Sequence, residues 1–325
     1  SKMQSLRASI LVTLLLIVPL SLGAYGFFGI SVSEGVHELW AQVPQKVPVW
    51  LPTAYVRGTF GHPYVLLLIV MPIVLVVLPS WFFYETTVAN LKDANDDRTT
   101  GLRRWFVVAT PIIAGAAIYA DLVVTSSAIE PMSILGLGAL ALYLTLMVMV
   151  FLGEPLAASR RVEAHFGRGS RGPLGFLLGP AFTRAMIVTL VFGTIFVVAQ
   201  GATALSLLDA SKGAAFGALV SYTIAFFTFV VGFASWLRAR ASSIFAARVL
   251  FVAALAGISI VPWVVGAVAG IFAQRADESL FIASPSPFYA FYMYDAMKRS
   301  GQETNIGAGW VAMVGWAVLG LALLL

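Results

Sequence analysis

Residues 184–208 read RAMIVTLVFGTIFVVAQGATALSLL, and residues 214–237 read AAFGALVSYTIAFFTFVVGFASWL. Only Asp209, Ala210, Ser211, Lys212 and Gly213 part them. Each run meets the length of about 20 mainly apolar residues that carries a helix across a bilayer. So short a polar break leaves room only for a turn, and the pair predicts two antiparallel membrane helices. Working outward, similar runs cover 7–30, 63–84, 105–129, 131–153, 248–273 and 306–325. Glu130-Pro131 parts the third and fourth runs of the chain and reads as a second tight hairpin. The first run, at about 24 residues, exceeds the roughly 7–15 residues of a signal-peptide core and is expected to be a retained span. The predicted fold is all-α, a polytopic integral membrane bundle of about eight transmembrane helices, with residues 1–325 as one transmembrane domain.

Composition agrees. Hydrophobic residues are 60% and charged residues 11% of the 325, against about 45–50% and about 25% in soluble domains. Lys and Arg number 20, Asp and Glu 15, too few to cover a soluble surface. The mean hydropathy is +0.92. These values exclude a disordered chain, a coiled coil and a soluble nucleic-acid binder. The absence of cysteine excludes a disulfide scaffold, a thiolate zinc site and an iron–sulfur cluster.

The net charge of +5 reads as orientation, because Lys and Arg accumulate on the cytoplasmic side of membrane proteins. Counted by alternate loops, the basic residues divide 14 to six. The richer side holds the start of the chain and the loops 85–104, 154–183 and 238–247 with the arginines at their edges. The poorer side holds the segments 31–62 and 274–305 and Lys212. Both visible ends are therefore expected in the cytoplasm, of a bacterial inner membrane. The outer segments 31–62 and 274–305 carry tryptophans, prolines and an aromatic cluster around Phe288-Tyr289-Ala290-Phe291-Tyr292, composition that suits the headgroup region.

Few constellations carry chemistry. In the loop Asn90 to Gly101, Asp93 and Asp97 stand four apart and would share a helix face, as a Mg²⁺–diphosphate site requires. The wording resembles one of the two aspartate-rich motifs of intramembrane prenyltransferases. The second motif those enzymes need is missing: the other cytoplasmic loops offer only Glu154 and Glu163. His37, His62 and His165 lie on separate loops with no ligand spacing between them. No catalytic elbow, Walker loop or dinucleotide fingerprint occurs, and neither an enzyme nor a cofactor is expected. Within the spans the polar candidates are Asp121 and Gln200. Asp121 lies 16 residues beyond Trp105, about 24 Å along a helix, and is expected as an interfacial carboxylate near the outer surface. Gln200 is expected to join helices by hydrogen bonding.

A resemblance enters through Phe151-Leu152-Gly153-Glu154-Pro155-Leu156-Ala157-Ala158-Ser159-Arg160-Arg161-Val162-Glu163, then Leu178-Gly179-Pro180-Ala181-Phe182-Thr183-Arg184, Trp236-Leu237-Arg238-Ala239-Arg240-Ala241, Val261-Pro262-Trp263 and Ser286-Pro287-Phe288-Tyr289-Ala290. Over about residues 151–292 this order resembles the membrane subunits of type-2 ATP-binding-cassette exporters. The linker carries no clear Glu-x-Gly-Thr segment of the kind found in that family. The resemblance implies a permease moving a hydrophobic or lipid-like substrate, driven by a cytoplasmic ATPase subunit. It also implies a second permease half, as a homodimer or with other membrane subunits. Glu154, Arg160, Arg161, Glu163, Arg168 and Arg171 would then lie on the coupling loop. The competing expectations are the prenyltransferase and a non-catalytic scaffold of a redox or photosynthetic complex. The partners expected are thus the lipid bilayer and other subunits, with no nucleic acid.

Overall fold

The computed structural model describes residues 70, 73–91, 100–123, 129–157, 160, 179, 181–273, 280–299 and 306–324. They form helices and turns, with no strand among them. A π-helical turn, Ile73–Val77, runs into α1, Leu78–Leu91. The long helices are α2 (Thr100–Val123), α3 (Ile129–Phe151), α4 (Phe182–Leu207), α5 (Ala210–Arg240) and α6 (Ile244–Ala273). A 3₁₀ turn, Leu280–Ala283, precedes the short α7 (Tyr289–Lys298) and the last helix, α8 (Ile306–Leu324). Six of these, α2 to α6 and α8, are long and apolar enough to cross a membrane.

The helical state follows from the solvent. In hydrocarbon every backbone N–H and C=O needs an internal partner, and a helix supplies one within its own segment. The hydroxyls that interrupt the apolar runs are served the same way. Thr110 donates to the Phe106 carbonyl at 2.6 Å, Thr189 to Ala185 at 2.7 Å and Thr228 to Ile224 at 2.9 Å, each to the preceding turn of its own helix.

α5 is the most enclosed of the six and α6 and α8 are the least. α2, α3 and α4 pack on one another, and α3 and α4 join this group to α5. On another side of α5 lie α7 and α8. There Gly232 of α5 meets Gly320 of α8 so closely that a side chain on either would run into the other helix's backbone. Small residues at such a crossing let the two backbones approach. The indole of Trp316, one turn before Gly320, lies 4.4 Å from the Phe229 ring, one turn before Gly232. α6 keeps an apolar face open, with Val261, Val264 and Val268 about half exposed, a surface suited to lipid.

Several expected boundaries move. Glu130 and Pro131 are not the turn between the third and fourth runs but lie in the first turn of α3, where proline's missing N–H costs no helix bond. α2 starts at Thr100, so Arg103 and Arg104 belong to it, and both edges of the expected loop 85–104 are helical, in α1 up to Leu91 and in α2 from Thr100. Within 238–247 only Ala241, Ser242 and Ser243 part α5 from α6. Ser243 caps α6, its hydroxyl accepting the Ala246 N–H at 3.1 Å. The expected hairpin at Asp209 holds: Leu208 and Asp209 alone separate α4 from α5. The expected span 7–30 and the segment 31–62 lie outside the described residues.

Candidate functional site

Both ends of α3 and its neighbours carry buried polar chemistry. At one end, the basic end, α3 finishes in Phe151 and the chain turns through Gly153 to Glu154. The Glu154 carboxylate takes a hydrogen bond from Arg103 of α2 at 2.8 Å, with the two side chains 0% and 1% exposed. Thr100 accepts a second bond from the same guanidinium at 3.2 Å. Arg238, in the last turn of α5, donates to the Glu154 carbonyl at 3.3 Å, and Arg248 of α6 donates to the Val150 carbonyl at 3.2 Å. The last carbonyls of a helix have no partner within it, and arginines from two neighbouring helices serve the end of α3. A further bond joins the two ends of the linker: the Phe182 N–H donates to the Pro155 carbonyl at 3.1 Å. Four helices are thereby tied to the root of the 154–183 segment.

At the opposite end Glu130 of α3 pairs with Lys212 of α5 at 3.0 Å and with Lys298 of α7. Tyr294 lies beside this cluster, and burial together with the Glu130 charge pushes its phenol up. The segment leading into α7 is pinned to the bundle. The Tyr222 hydroxyl of α5 donates to the Ser286 carbonyl at 3.1 Å and the Ser284 carbonyl at 3.2 Å, and the Ser286 hydroxyl donates to the Ser259 carbonyl of α6 at 2.7 Å. Burial, with Tyr292 and Tyr222 nearby, pushes the Tyr289 phenol up to about 12, so it stays neutral. Phe288 and Phe291 remain exposed, as an interfacial cluster requires.

Toward the Glu130 end lie Asp121, Ser133 and Gln200, on α2, α3 and α4. Asp121 is 1% exposed and the other two 0%. The expected interfacial carboxylate is thus enclosed by protein: it lies two residues before the end of α2, and its side chain turns toward α3, where it faces Ser133. Gln200 is buried as well, yet its amide makes no hydrogen bond among the described residues. It fits against Gly136 of α3, where a side chain would occupy the amide's place.

Of the residues expected on the coupling loop, Glu154 is the buried anchor just described and Arg160 is exposed. Arg161, Glu163, Arg168 and Arg171 lie outside the described residues, as do Asp93, Asp97, His37, His62 and His165. Sequence reasoning passes over Arg103, Arg238 and Arg248 as solvated loop charge, and over Ser133 altogether. One signal for the intramembrane group is arithmetic: Gln200 lies 16 residues beyond Arg184, as Asp121 lies 16 beyond Trp105, so two polar side chains share a depth on neighbouring spans. No group of three or more His, Cys, Asp or Glu side chains gathers among the described residues.

Fold and composition define a multi-pass helical membrane protein. No protein-family model, curated protein or solved structure matches the chain.

Proposed function

We propose that this chain is the membrane subunit of an exporter of the type-2 ATP-binding-cassette kind, in a bacterial inner membrane, moving a hydrophobic or lipid-like substrate. The observation that carries the reading is the construction of the linker root. A coupling loop must pass a displacement into helices. Here Glu154 is bonded to α2 and α5, and Pro155 to the start of α4. A push on the 154–183 segment is delivered to several helices at once, and the Arg103–Glu154 contact among them is closed to solvent. The substrate class rests on the lining available: the uncharged or acidic polar side chains buried in the described spans are Thr110, Asp121, Ser133, Thr189 and Gln200, and the two threonines bond within their own helices, too few for a hydrophilic pathway. In this reading the basic end faces the cytoplasm.

The test is purification of the full chain from its native membrane in mild detergent, with every retained partner. An ATP-hydrolysing subunit is expected in stoichiometric amount. Replacing residues 161–171 by a Gly/Ser stretch is expected to release that subunit while the helical bundle stays folded. Complexes that contain no ATPase sink the proposal.

A further inference from the structure

Two guanidiniums at the basic end are left over once the root of the 154–183 segment is accounted for. The Glu154 carboxylate is committed to Arg103. Arg248 of α6 lies over Gly153, where an added side chain would run into its guanidinium, and it donates to the Val150 carbonyl. A carbonyl takes the hydrogen bond but carries no net charge to set against the cation. The Arg248 Nε is shut off from solvent with no hydrogen-bond partner among the described residues. Arg240, the last residue of α5, rests over the Trp236 ring at 4.7 Å. Neither arginine forms an ion pair among the described residues.

Helix pairing brings these two cations to one place. The Phe233 ring of α5 stacks with the Phe251 ring of α6 at 6.3 Å, and the two helices run antiparallel from the turn at 241–243. Three residues nearer that turn lie Trp236 on α5 and Arg248 on α6, so the indole and the Arg248 guanidinium share a level. Arg240, stacked on the same indole, joins them from the turn side. The surface of α6 that leads away from Arg248 is open and apolar, with Val249, Leu250 and Val252 about half exposed.

A partly buried cation at the end of a membrane helix is costly without a counter-charge. A ligand with an anionic head and an apolar body meets both surfaces at once. The planar fork of arginine matches the paired oxygens of a phosphate, and indoles at the ends of membrane helices sit at headgroup level. A free phosphate would leave the apolar strip of α6 unused, and a zwitterionic lipid brings a cation of its own.

We propose that Arg248 and Arg240, flanking Trp236, hold the phosphate of an anionic phospholipid whose acyl chains run along the open face of α6. Because Arg248 is also bonded to the end of α3, the headgroup braces α6 against the linker root. The inference stands apart from the exporter reading: it needs only that this end of the bundle lies among headgroups.

The experiment titrates the full chain in detergent with dioleoyl-phosphatidylglycerol or dioleoyl-phosphatidylcholine and counts retained lipid by native mass spectrometry. Inorganic phosphate is the competing arm. Wild type is expected to hold one phosphatidylglycerol at several-fold lower concentration than phosphatidylcholine, and equimolar inorganic phosphate to leave it in place. Arg248→Gln is expected to abolish the preference and Arg240→Gln to reduce it several-fold. Arg299→Gln, just past α7 at the opposite end, is expected to bind as wild type. The proposal is overturned if wild type takes both lipids alike, or if Arg248→Gln keeps the preference. It is overturned equally if Arg299→Gln loses as much as Arg248→Gln, the mark of bulk charge attraction, or if phosphate displaces the lipid, the mark of a plain anion site. Should Arg248→Gln fail to fold, the exposed Arg240 decides: an undiminished preference in Arg240→Gln overturns the site.

Discussion

Arg103 and Glu154, 51 residues apart in the chain, meet at 2.8 Å with both side chains closed to solvent. Such a pair is an obligation as much as a bond, because neither charge tolerates losing the other. Glu154→Gln removes the carboxylate that meets the buried guanidinium at 2.8 Å, and the expected loss is about 3–5 kcal/mol of stability. Replacing the pair together, as Arg103→Met with Glu154→Leu, is expected to return most of that loss. Thermal unfolding of the single and the double variant in detergent is the measurement. Equal damage in the single and double variants would show that the pair has no such coupling.

The Gly232–Gly320 crossing makes a sharper steric prediction. A Val at position 320 meets backbone, which cannot swing aside as a side chain would. Overpacking of this kind typically costs about 1–3 kcal/mol and more where backbone must move, so α8 is expected to lift from α5. The chain is free of cysteine, and a pair introduced as Phe229→Cys and Trp316→Cys reports the contact through disulfide yield. That yield is expected to be high alone and to collapse when Gly320→Val is added.

The segment before α7 is held by hydroxyls. Tyr222→Phe removes the donor shared by the Ser284 and Ser286 carbonyls, and Ser286→Ala removes the bond to Ser259. Each loss is expected to cost about 1–2 kcal/mol. The effect is local, so hydrogen exchange should quicken at residues 283–290 in both variants while α2 and α3 keep wild-type protection. Uniform quickening throughout the bundle would contradict the local docking.

Much of this fold is legible in the sequence, because a membrane span declares itself by length and apolarity alone. The α4–α5 hairpin is the clear case, with its turn found at Leu208 and Asp209. What escapes is whatever depends on a partner distant in sequence. Arg103 looks like loop charge until Glu154, beyond another whole span, neutralises it and lets α2 begin at Thr100. Asp121 illustrates the other limit. Counting residues places it along α2, but that says nothing of which way a side chain faces, and the side chain is found buried beside Ser133 on the adjoining helix. Pro131 misleads for a related reason: proline marks a helix start as readily as a turn.

The glycine crossing also bears on how the protein is made. α5 is the most enclosed helix of the bundle, yet the helix that covers its Gly232 face is α8, synthesised about 66 residues after the end of α5. During synthesis Gly232 is without its Gly320 contact while α6 and α7 are translated in between. The Gly232 face of α5 therefore gains its glycine contact only once α8 has followed α6 and α7 into the membrane.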